Sequence, residues 1–354
     1  MTPFQKLKLW MLAGFMLLSA SRTLAQSLRE VFKRVNPSVV VVHTHEDTIT
    51  KAALSNTAPN AVAEAPFRQG VGSGVLIAAD GKVLTAAHVI NTADHIEVEF
   101  LNGERIAATV ISAAPAADFA LLQLARIPDA AVVARLGDSN LLEPGDQIFA
   151  VGAPYGAGHS LASGWISARR AAENITENLA PLETWQVDVA LFQGNSGGPL
   201  FNLSGEVIGI VTHLLVKENQ STGPGFAVTS NTVRKLMLEE KQLWLGFEAW
   251  LIEDTLAEAF NLPQRAGLMV QSVVTNSLGQ RMGLREAKIP IVIEGQSLLI
   301  GGDVLLEISG VPVRPAYASV REIQQRMQAL RSGDALNAKV WRGGQVLELA
   351  TTIP

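Results

Sequence analysis

The sequence contains no cysteine and only two tyrosines among its 354 residues, and aromatic residues reach just 6%. Without cysteine the chain has no disulfide, no thiolate metal site, no cysteine nucleophile and no lipid-bearing cysteine. Charged residues are sparse at 17%, and they leave a net charge of −5. No basic stripe accompanies that charge, and the pair Arg169-Arg170 is too short to act as one, so no nucleic-acid partner is expected. Neither a phosphate-binding glycine loop nor a dinucleotide fingerprint is present. What the chain does have is apolar residues at 48%, with 30 Gly and 16 Pro. Such a composition forms cores and many turns, which favours β-rich architecture over a helical bundle. At roughly 150 residues per domain, the length suggests about two domains.

The first 25 residues read as an export signal. Lys6 and Lys8 precede an uncharged apolar run from Leu9 to Ala20, and Thr23-Leu24-Ala25 offers small residues for cleavage after Ala25. That run rises only about 18 Å as a helix, short of the roughly 30 Å needed for a stable membrane span. A soluble exported protein is expected, with an uncleaved anchor as the alternative. Ser27 to Asn36 carries helical spacing, and Ser38 to Val42 reads as a buried strand. From Glu46 to Gln69 periodicity vanishes, which predicts a long loop. Gly70 to Gln242 then shows short apolar segments between turn signals, as a barrel-like all-β domain would. Helical spacing returns from Asn231 to Leu245, and the remainder mixes strands with a helix over Ser319 to Leu330. The predicted domains are therefore 26–242, all β, and 243–354, α+β.

Three short motifs carry chemistry. In Gly194-Asn195-Ser196-Gly197-Gly198-Pro199-Leu200 the glycines allow a tight turn that exposes a hydroxyl and aims backbone N–H groups at one point. A serine hydroxyl needs a base, and Thr85-Ala86-Ala87-His88-Val89 supplies one in His88. Asp118 heads the apolar segment Phe119-Ala120-Leu121-Leu122, where an unpaired carboxylate would be expensive; pairing with His88 accounts for it. The order His, Asp, Ser is that of chymotrypsin-like enzymes. His43 and His45 share one strand face near Glu46 and Asp47, but the chemistry requires no metal and no cofactor, and none is expected.

With those motifs in place, the stretch from about Val71 to Leu238 resembles the trypsin-like protease domain of the HtrA (DegP/DegS) family. Gly72-Ser73-Gly74-Val75, Gly152-Ala153-Pro154-Tyr155-Gly156, Gln186-Val187-Asp188 and Gly225-Phe226-Ala227-Val228 support the match. The resemblance implies a double β-barrel and a serine endopeptidase, with His88, Asp118 and Ser196 as the triad. The N–H groups of Gly194 and Ser196, with Asn195 contributing, would form the oxyanion hole. Ala190, six before Ser196, implies an apolar primary pocket, with Thr212 and His213 along its wall. Asn195 stands where trypsins have an acid that pairs with a new N-terminus, so activation by cleavage is not expected.

The second domain resembles a single PDZ module. Trp244-Leu245-Gly246-Phe247 matches the family's carboxylate-binding loop, which implies C-terminal peptides as ligands. An insertion, Glu286 to Ile300, separates segments that simple PDZ domains join directly. The family further implies unfolded or misfolded exported proteins as substrates and a homotrimer, with Leu28 to Val35 among its contacts. A regulatory protease of one client, or a binding protein with an idle barrel, are the alternative readings.

Overall fold

The computed structural model describes residues 27–46, 68–129, 131–156, 158–172, 182–212, 225–240, 243–293 and 296–354. The export signal, His213 and the expected loop apart from its ends lie outside them. Glu46 closes a strand and Arg68 and Gln69 open the next, so those ends are strand.

Ser27 caps the helix α1 (Leu28–Val35) by accepting the Glu30 N–H at 3.3 Å. Val31 and Val35 are buried in the chain's own core, together with Val207, Val233 and Met237. The apolar face of α1 is thus spent inside the chain's own core, and Arg29, Glu30, Lys33 and Arg34 remain exposed on the opposite face.

Six strands then close the first barrel: β1 (Val39–Glu46), β2 (Arg68–Leu76), β3 (Lys82–Thr85), β4 (His95–Glu99), β5 (Arg105–Ala114) and β6 (Phe119–Leu124). Their order around the barrel is β1-β2-β3-β6-β5-β4. β4 shows why the residues fold this way, since Ile96 and Val98 point inward while His95, Glu97 and Glu99 face outward. The second barrel follows β7 (Arg135–Leu136) and comprises β8 (Gln147–Gly152), β9 (Ser160–Ala172), β10 (Leu182–Val187), β11 (Pro199–Asn202), β12 (Glu206–Thr212) and β13 (Gly225–Thr229). It runs β11-β8-β9-β10-β13-β12, and the pairing of β11 with β12 closes the ring. Trp185 fills its core without an orphaned polar atom, because its ring N–H donates to the Ile208 carbonyl at 2.9 Å. One apolar cluster joins both barrels through Val75, Leu84, Phe119, Phe149 and Phe201.

The helix expected over Asn231–Leu245 is shorter. It starts at Ser230, continues as a π-turn over Arg234–Glu239, and Leu243 to Gly246 are not helical. Trp244 and Leu245 explain the difference: Trp244 packs on the first barrel, whereas Leu245 enters the core of the C-terminal unit. That unit is α+β. β14 (Phe247–Glu253), β15 (Ala266–Val273), β18 (Val304–Ile308), β20 (Ala335–Arg342) and β21 (Gln345–Thr352) form its sheet, and the two-residue β19 (Val311–Pro312) joins β18. The helix over Val320–Ala329 supplies Ile323 and Met327 to the core. The insertion folds as a separate hairpin, β16 (Ile289–Ile293) with β17 (Gln296–Ile300), and exposes Ile289 and Val292.

Candidate active site

β3 delivers the base. After Thr85, the fully buried Ala86 and Ala87 lead into a one-turn helix over Ala87–Ile90, which leaves the His88 side chain part-exposed. Asp118 arrives from the same barrel, one residue before β6, in the left-handed region at φ 53° and ψ 45°. Aspartate tolerates that region better than most residues. The orientation sets its carboxylate against His88: Oδ1 accepts the His88 backbone N–H at 2.9 Å, and ring Nδ1 lies 2.8 Å from Oδ2. The second barrel adds the Thr212 hydroxyl, which donates to Oδ2 at 2.6 Å.

Asp118 is 5% exposed. Burial alone would push its carboxyl up, but the hydrogen bond and charge of the His88 ring, the Thr212 hydroxyl and the His88 N–H outweigh that and hold it below its ordinary value. An ionised Asp118 holds the proton of His88 on Nδ1, which leaves Nε2 able to accept another.

Ser196 lies in the loop between β10 and β11, on the second barrel. Phe192 to Asn195 form a β-turn in which the Asn195 N–H donates to the Phe192 carbonyl at 2.9 Å, with Gly194 at φ 98°. A positive φ at the third turn position is where glycine is needed. The Asn195 N–H, expected among the oxyanion donors, is therefore committed inside the turn. Gly194 N–H has no partner among the described residues. Gly197 is required by space as well as by its φ of 81°, since a Cβ there would collide with Ser73, Thr85 and the Ala86 backbone. Those neighbours bring the Ser196 turn against the segment that carries His88.

Of the three predicted pocket residues, His213 lies outside the described residues. Ala190 is exposed, and Thr212 spends its hydroxyl on Asp118. Leu191, which sequence reasoning passed over, packs against the second-barrel core and over Gly225, where any Cβ would meet its Cδ1. Ser73 was quoted only within a motif, yet its hydroxyl donates to the Gly194 carbonyl at 2.6 Å. Glycines on both sides of it, inside a strand, marked the close backbone approach.

In the C-terminal unit, Gly246 (φ 67°) sits where a Cβ would strike Ser277, and its carbonyl accepts the Val274 N–H at 2.8 Å. Leu245 and Phe247 pack in the unit's own core, and Phe247 begins β14, an edge strand. The Trp244 side chain packs on the first barrel, and the tip of its ring lies against Gly246. Nearby, Asp94 accepts the Thr275 N–H at 2.9 Å, tying the units together beside a cleft of about 1010 Å³. Among the described residues no group of three potential ligands could hold a metal, and His43 faces Glu99 at 2.9 Å.

Residues 72–210 match the Trypsin-like peptidase domain family. The chain is 33% identical over 344 residues to the periplasmic pH-dependent serine endoprotease DegQ of Escherichia coli (strain K12), covering 92% of this chain and 70% of that protein. It belongs to the HtrA-type serine endoproteases. A probable periplasmic DegP-like serine endoprotease of Marinomonas sp. (strain MWYL1) is 29% identical over 353 residues, with the same coverages. Among solved structures, the HtrA-type protease AlgW with a decapeptide shares 26% identity at a TM-score of 0.50, covering 92% of this chain and 98% of that one. This HtrA-type chain is a periplasmic serine endopeptidase, and among the described residues no helix is long and apolar enough to cross a membrane.

Proposed function

We propose that His88, Asp118 and Ser196 act as a triad on peptide bonds of unfolded or misfolded exported proteins. The observation that carries the reading is the Asp118 carboxylate, buried between the barrels and held by His88 from one and Thr212 from the other. Ser196 Oγ attacks the scissile carbonyl while His88 takes its proton. The carbonyl oxygen becomes an oxyanion, received by the Gly194 and Ser196 N–H groups. His88 then returns the proton to the leaving amine, which departs as the C–N bond breaks. Water repeats the sequence on the acyl-enzyme and frees Ser196. Beside Gly225, Leu191 gives the primary pocket an apolar wall suited to small aliphatic side chains.

The C-terminal unit serves as a PDZ module. A peptide C-terminus pairs with the free edge of β14 and lodges its carboxylate on the backbone N–H groups around Gly246. Assembly as a homotrimer follows the family, with the exposed residues of Leu28–Val35 among its contacts.

Casein digestion by the wild-type protein and by Ser196→Ala tests the core of this reading. Cleavage by the first and none by the second is expected. Equal absence of cleavage across temperatures would favour a binding protein with an idle barrel. Acceleration by added C-terminal peptides would assign regulation to the PDZ module.

A further inference from the structure

One fully buried residue of the first barrel touches both residues that carry the oxyanion donors. Ser73, on β2, uses every polar atom it has. Its N–H donates to the Ser196 carbonyl at 2.8 Å, and its hydroxyl donates to the Gly194 carbonyl at 2.6 Å. The same hydroxyl oxygen accepts the Ala153 N–H at 2.9 Å, and the Ser73 carbonyl accepts the Thr85 hydroxyl at 2.7 Å. A carbonyl can only accept and an N–H can only donate, so the hydroxyl proton has one place to go: Gly194.

We propose that Ser73 is the positioning residue of the oxyanion hole, a hydroxyl latch that sets the Gly194 donor from across the barrel interface. The peptide between Gly194 and Asn195 is clamped on both sides, its carbonyl by Ser73 and its N–H by Phe192. With that plane fixed, the turn holds Gly194 at φ 98° and the direction of its N–H is set. The Ser73 N–H fixes the Ser196 peptide in the same way, so one residue registers both donors against each other. Through Thr85, three positions before His88, it also registers them against the base. Ala153 extends the latch to the segment that follows β8, so order there and order in the oxyanion turn are coupled. This placement deepens the proposed mechanism and rests on its assignment of the Gly194 and Ser196 donors.

The test compares full-length wild type, Ser73→Ala and Ser73→Cys. A peptide boronic acid with an apolar terminal side chain serves as the probe. Ser196 Oγ bonds to the trigonal boron, its proton passes to His88, and the anionic tetrahedral adduct occupies the oxyanion hole. The matching peptide amide binds without that adduct. Ser73→Ala is expected to weaken boronate binding about 10- to 100-fold, a fraction of the effect of deleting a donor outright. Amide binding should stay within twofold. On a chromogenic peptide, kcat per titrated active site should fall in parallel with KM nearly unchanged and the pH profile in its wild-type position. Ser73→Cys, with a weaker donor of similar shape, should fall between, and it decides the question alone if the alanine variant does not fold. Boronate binding within threefold of wild type, or equal losses for boronate and amide, would overturn the proposal. So would a wild-type protein that binds the boronate no better than the amide. A wild type that binds the boronate tightly yet cleaves nothing would count against the peptidase reading and leave the Ser73 comparison intact.

Discussion

The protease half and the C-terminal unit place their working groups in opposite ways. Between the barrels the candidate site is built from side chains held by other groups: His88 by Asp118 of its own barrel, and, across the barrel boundary, Asp118 by Thr212 and the Ser196 turn by Ser73. In the C-terminal unit the candidate site is backbone, an open strand edge and a loop shaped by Gly246. A site of the first kind fails when one side chain changes. A site of the second kind tolerates most side-chain changes and fails when the backbone is forced to move.

The largest effect expected from this contrast is at Asp118. Asp118→Asn should preserve the fold while lowering kcat by on the order of 10⁴, because the amide no longer holds His88 in the productive tautomer. Steady-state kinetics with a circular dichroism control checks both halves of that statement. Next comes a change that should break the C-terminal fold and spare the chemistry. Asp303 is fully buried, and both its oxygens are met by the Arg342 guanidinium at 2.6 and 2.7 Å. Arg342→Ala removes the countercharge of that carboxylate and leaves it the Arg285 N–H at 2.8 Å, at a cost of about 3 kcal/mol. Denaturant unfolding should show the C-terminal transition moving while peptide cleavage by the barrels persists.

Gly246→Ala should abolish C-terminal peptide binding, since the added methyl collides with Ser277, whereas Phe247→Ala should weaken it only modestly. Fluorescence titration with a labelled peptide separates the two. A smaller change is expected at Leu191→Ala, which opens the pocket wall and shifts preference towards larger apolar side chains by about 1–3 kcal/mol. The smallest is a pH effect. Because Asp118 is held below its ordinary value of 3.8 in the folded protein, its stabilising contribution is complete above that value and is lost as pH falls through the folded one. Melting temperatures recorded from pH 7 to 3 should show this step only below about pH 4 in wild type, and Asp118→Asn should lack it.

The same contrast governs how much the sequence disclosed. The pairing of His88 with Asp118 was legible, because a carboxylate at the head of an apolar strand needs a partner. Barrel strands such as β4 were legible through alternation. The hairpin in the insertion was not, because Ile289 to Ile300 is apolar on both faces and exposes Ile289 and Val292. The end of the helix after Ser230 was obscured for a related reason: Trp244 and Leu245 continue an apolar pattern but are buried in different units. Thr212 and Ser73 were present in quoted or predicted segments, yet a hydroxyl's partner across a barrel interface has no local signature. The packing of Leu191 over Gly225 was not legible either, because those two segments meet only in the folded barrel.

The central claim is that His88 and Asp118 of one barrel activate Ser196 of the other, and covalent labelling tests it most directly. Purified wild type treated with a fluorophosphonate, digested and read by mass spectrometry, should carry one phosphonyl group on Ser196. Asp118→Asn and His88→Ala should label far more slowly. An unlabelled wild-type protein under every condition tried, a label on another residue, or equal labelling of all three proteins would contradict the account.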